Sequence, residues 1–118
     1  MVEVAVVSTN DATANRLAAL VPANDFRVTT CPPDELPAPL PALFIVAMPA
    51  LASPEEQLIE RLRADETTAN LPIVIVSDLP MNELQSVPYA SDWTIAIVPE
   101  PVESTVLVDT INFLLGRG

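Results

Sequence analysis

Apolar positions in this chain fall into short continuous runs, separated by stretches in which they recur every three or four residues. Val2-Glu3-Val4-Ala5-Val6-Val7, Leu43-Phe44-Ile45-Val46-Ala47, Pro72-Ile73-Val74-Ile75-Val76-Ser77 and Trp93-Thr94-Ile95-Ala96-Ile97-Val98 are the runs. Their apolar, β-branched character predicts buried strands covered on both faces. Phe26 to Cys31 reads as a shorter strand, second in chain order. Between the runs the period changes. Ser8-Thr9-Asn10 offers capping side chains ahead of Ala14, Leu17, Ala18 and Leu20-Val21, a helical stripe that Pro22 ends. Ser53-Pro54-Glu55-Glu56 is a strong helix start, with Ser53 at the N-cap, Pro54 in the first turn and Glu56 closing a capping box. The helix that follows runs to about Ala64, with Leu58, Ile59 and Leu62 inward and Glu56, Glu60, Arg61 and Arg63 in water. A last helix is expected from about Ser104 to Leu115, apolar along Val106, Leu107, Ile111, Leu114 and Leu115 and stopped by Gly116.

Five strands alternating with helices predict an α/β fold with a doubly wound five-stranded parallel sheet, because parallel strands need crossovers and the crossovers cover both faces. The strand order 2-1-3-4-5 fits best. Two connections are unusual. Pro32, Pro33, Pro37, Pro39 and Pro41 exclude a full helix between the second and third strands, and Pro80 and Pro88 leave space for only about two turns before the fifth. No repeat or linker divides residues 1–118, so one domain is expected.

Composition narrows the chemistry by what is missing. Sixteen acidic residues against five arginines give a net charge of −11, which repels nucleic acid and anionic membranes. Lysine and histidine are absent, and the only glycines are Gly116 and Gly118. There is thus no imidazole base or ligand, no Schiff-base or P-loop lysine, and no glycine-rich phosphate loop. Cys31 is a lone cysteine, without a partner for a disulfide or zinc knuckle. No cofactor, metal or catalytic group is expected, nor is a signal peptide or membrane span, and the cytoplasm is the expected location.

Leu43 to Asp65 resembles the bacterial response-regulator receiver family, the CheY-like domains that accept phosphate on an aspartate at the end of the third strand. Leu58-Ile59-Glu60-Arg61-Leu62-Arg63-Ala64-Asp65 is similar to the family's "LLRRLRAD"-type helix, Pro72 to Ser77 to its "PVIVLTA" strand, and Glu100-Pro101-Val102-Glu103 onward to its "KPFDPEELL" segment. The resemblance spans nearly the whole chain and implies that the Glu100-Pro101 bond is cis. It also implies a degenerate phosphorylation pocket. In ungapped register from Asp65 the phosphoacceptor position falls on Ala47, the magnesium-binding acidic pair on Ser8 and Thr9, the lysine on Glu100 and the aromatic switch on Ile97. Ser77 alone keeps the family's hydroxyl. The family's second helix should be missing or reduced, and its fourth short.

A pseudo-receiver of this kind is expected to work without phosphorylation, through a protein partner in two-component or localisation signalling. Self-association is one form of this, through the fifth strand and last helix, with Trp93, Ile95 and Ile97 as the interaction surface. Trp93 and the two isoleucines read equally as core. A small-ligand binder using the crevice at the strand C-termini is the alternative. Ser77 reads as a backbone-satisfying serine ahead of a switch, Glu55 and Glu56 as acids on a solvated helix start, Cys31 as inert packing, and the prolines as a stiffened connector.

Overall fold

The computed structural model describes residues 2–84 and 94–116. Five strands, β1 (Val2–Val7), β2 (Phe26–Cys31), β3 (Leu43–Ala47), β4 (Ile73–Ser77) and β5 (Ile95–Pro99), form one sheet in the order β2-β1-β3-β4-β5. All neighbouring pairs are parallel, with Val7 opposite both Cys31 and Val46, Ala47 opposite Val76, and Ser77 opposite Pro99. The ends of β1, β3 and β4 therefore converge on one rim.

The two-residue period of the strands divides the core. Val4, Val6, Leu43, Ile45, Val74, Val76 and Val98 face helices α1 (Asp11–Ala19) and α4 (Ser104–Leu114), meeting Leu17, Leu107 and Ile111. Ala5, Val7, Phe44, Val46, Ile73, Ile75 and Ile95 face α2 (Pro54–Ala64) and α3 (Met81–Leu84), meeting Leu58, Ile59, Leu62 and Leu84. β3 and β4 are buried at every position, as continuous apolar runs require of central strands covered on both faces.

The unusual connections behave as the prolines dictate. No helix forms between β2 and β3; Arg61 Nη2 ties this segment to α2 by donating to the Pro33 carbonyl at 3.0 Å. The described part of the β4–β5 connection contains one helical turn, α3, whose Leu84 is fully buried. Glu100–Pro101 is cis, as the resemblance implies, and Ala38–Pro39 is cis as well. Gly116 stops α4 with φ of 72°, the left-handed conformation that glycine adopts without steric penalty.

Several side chains depart from expectation. Val106 is 47% exposed and Phe113 76%, because the buried seam of α4 centres on Leu107 and Ile111, leaving Val106 and Phe113 on its outer side. Arg63 is half-buried instead of wet: its guanidinium donates to the carbonyls of Thr68 and Leu71 and to Thr94 Oγ1, fastening the end of α2 to the start of β5. Glu56 is buried. Its Oε1 accepts from the Ala52 N–H at 2.7 Å while Ser53 Oγ accepts from the Glu56 N–H at 3.3 Å, a capping box displaced by one residue. Ala52 takes φ of 59° to make this possible, a conformation that costs a residue with a Cβ roughly 1–2 kcal/mol.

Candidate functional site

The β1–α1 loop begins where β1 runs out. Ser8 is buried, and its Oγ accepts from the Asn10 N–H at 3.0 Å; Asn10 Oδ1 accepts from Thr13 N–H at 3.1 Å and caps α1. At the end of β4, Ser77 Oγ donates to the Met48 carbonyl at 2.8 Å and accepts from Leu79 N–H at 3.2 Å, bridging the β3 and β4 exits. Both hydroxyls thus act on backbone groups, the ordinary business of serines at element ends. Beyond β5, Glu100 meets Arg16 of α1 at 2.7 Å, a half-exposed pair that offsets its charge.

With Ala47 at the floor, these residues line a crevice of about 300 Å³ at the C-terminal rim, the place where open α/β sheets bind ligands. Ser8, Thr9, Ala47, Ser77 and Glu100 all contribute to it; Ile97 does not line it. Ala47 has no group that can accept a phosphoryl. Among the described residues no cluster of three or more cysteine or acidic side chains is placed to hold a metal ion.

Glu55 completes the crevice, and it corrects the expectation of a solvated helix face. The residue is fully buried, because its side chain turns from the first turn of α2 toward β1 instead of outward. Its Oε2 accepts from both the Thr9 N–H, at 3.1 Å, and Thr9 Oγ1, at 2.9 Å. The other oxygen, Oε1, is buried without a hydrogen-bond partner among the described residues. An unsatisfied buried acceptor destabilises by about 1–3 kcal/mol, more when charged. Sequence reasoning missed this residue because a helix-start acid already has a sufficient local explanation. Nothing in the local sequence around Glu55 signals a partner in the β1–α1 loop 46 residues away.

The interaction-surface residues separate. Ile95 is 8% exposed and belongs to the core on the α3 side, which removes it as a surface residue; the strand period puts it on the packed face. Ile97 is half-buried on that same face. Trp93 lies outside the described residues. Among the described residues β5 is an edge of the sheet, paired with β4. Cys31 is half-buried, and burial followed by the nearby Glu35 pushes its thiol pKa up, away from reactivity. A larger open groove of about 820 Å³ lies between Pro32-Pro33-Asp34 and α2, sharing Thr9 with the crevice.

The fold is that of response-regulator receiver domains. The chain superposes on the signal receiver domain of a signal transduction histidine kinase from Syntrophus aciditrophicus with a TM-score of 0.78 at 17% identity, covering 98% of this chain and 91% of that one. A response regulator receiver protein from Pseudomonas putida gives 0.74 at 21% identity, with 94% and 95% covered. A CheY-like response regulator from Mesorhizobium loti gives 0.64 at 22%, with 95% and 97% covered. No family model and no curated protein matches the sequence. No helix among the described residues is long and apolar enough to cross a membrane.

Proposed function

We propose that this chain is a pseudo-receiver, a signalling module that keeps the receiver fold, has lost phosphoryl transfer, and acts by binding a protein partner in a two-component or localisation pathway. The observation that carries this reading is the crevice itself: Ala47 lines it, and the hydroxyls of Thr9 and Ser77 and the Arg16–Glu100 pair are already engaged within the protein. Phosphoryl transfer on such a fold needs an acceptor, a metal and positive charge around the transferred group. Ala47, the Ser8-Thr9 pair and Glu100 supply none of these. The chain is accordingly not an enzyme in this reading, and nucleic acid is not its partner.

Incubation with acetyl phosphate or phosphoramidate and Mg²⁺, followed by intact mass measurement, tests the first half. The expected result is no mass gain, for the wild type and for Ala47→Asp alike, since Glu100 restores no positive charge. A stable adduct on the wild type would overturn the proposal. The partner surface is assigned to the β5 edge around Ile97 with the adjoining α4, including self-association. Ile97→Glu read by sedimentation and thermal unfolding tests it: lost association with the fold intact supports an interface, and a folded variant with unchanged association refutes it.

A further inference from the structure

The carboxyl of Glu55 is bonded on one side only. Oε2 is held by Thr9, whereas Oε1 is buried and unpartnered among the described residues, and the side chain forms part of the crevice wall. Its place in the first turn of α2 does not explain this arrangement, because Glu56 in the same turn completes the capping box. Asp78 and Glu100 line the same crevice, and Arg16, the one cation among its described lining residues, is paired with Glu100. The uncompensated charge is negative, and the oxygen left over is an acceptor.

We propose that the crevice binds an organic cation, an alkylammonium or guanidinium group of the kind carried by lysine and arginine side chains, with Glu55 Oε1 accepting its N–H. An anion is excluded by the sign of the lining charges. A hard divalent cation is disfavoured because no three acidic or cysteine side chains come together among the described residues. A volume of about 300 Å³ suits a charged head on a short aliphatic stem. Oε1 is closed to solvent, so binding requires the crevice wall around Glu55 to rearrange. The proposal does not rest on the interaction reading, since a free polyamine would present the same chemistry as a partner's basic side chain.

The test is a titration of the ¹⁵N-labelled protein at constant ionic strength with N-acetyl-lysine amide, N-acetyl-arginine amide and putrescine, with N-acetyl-glutamine amide as the neutral control. Saturable amide shifts at Ser8, Thr9 and Glu55 are expected from the cations and not from the control. Glu55→Gln should weaken them about tenfold, the loss expected when a charged acceptor becomes neutral, and Glu60→Gln on the exposed side of α2 should leave them unchanged. Tighter binding of the capped amino acids would assign the site to a protein side chain, and tighter binding of putrescine to a free amine. Shifts that never saturate, shifts spread over the acidic surface, or equal titration of Glu55→Gln would overturn the proposal.

Discussion

Replacing Glu55 by alanine tests whether the link between α2 and the β1–α1 loop holds the rim together. The side chain is fully buried and accepts two hydrogen bonds from Thr9 across 46 residues of sequence. Hydrogen bonds to a charged acceptor contribute about 1.5–3 kcal/mol each, and the exposure of Thr9 places these at the lower end because its freed donors return to water. The lost methylene adds roughly 0.8 kcal/mol. Removing the unpartnered Oε1 works in the opposite direction, by about 1–3 kcal/mol. The balance is a destabilisation of about 2 kcal/mol, which lowers Tm by about 8 °C in a domain of this size. Urea and thermal unfolding would measure it, with Glu60→Ala on the exposed face as a comparison expected within about 0.5 kcal/mol of wild type. A Glu55→Ala variant as stable as Glu60→Ala would show that the carboxyl braces nothing.

Ala52→Gly should raise stability by up to about 1 kcal/mol in the same unfolding assay, since it relieves the left-handed backbone at φ of 59° and gives back only part of that in chain entropy; a loss of stability would refute this. The Asp65 carboxyl is held below the usual carboxylate range, first by the Thr67 N–H at 2.9 Å and then by the Thr67 hydroxyl at 2.8 Å. Because its folded pKa lies below the unfolded one, its contribution to stability is present above the ordinary carboxylate pKa and is lost as acid carries the pH through the lower value. Thr67→Val should raise the Asp65 pKa in an NMR titration without restoring it fully, as the backbone donor remains.

The fold was legible because its determinants are local and redundant. Each central strand is a run that only a doubly covered sheet can bury, and prolines at 32–41 exclude the missing helix whatever surrounds them. Val106 was misassigned because periodicity gives a face without its width; only the packing of Leu107 and Ile111 shows where the buried seam ends. At the rim, Ser8, Thr9, Ala47, Ser77 and Glu100, the positions singled out by the family resemblance, line one crevice. Glu55 and Arg16 escaped because their partners lie 46 and 84 residues away, and a charge on a helix end has a plausible local reading that conceals a distant one. Arg63 escaped for a related reason: a long side chain on the edge of a wet face can fold back onto three acceptors that sequence spacing does not bring together.

Stability alone is an incomplete account of Glu55. If its only task were to hold Thr9, glutamine would serve almost as well, since the amide oxygen can accept the same bonds without the penalty of burying a charge. Glu55→Gln is therefore expected within about 1 kcal/mol of wild type, closer than the alanine variant. The two measurements together separate brace from binding site. A glutamine variant that stays stable and no longer answers lysine, arginine or putrescine would mean that the charge serves the crevice and the shape serves the loop. A glutamine variant that unfolds with the alanine variant, while the wild type shows no saturable response to any cation, would reduce Glu55 to a structural brace that fixes the β1–α1 loop against α2.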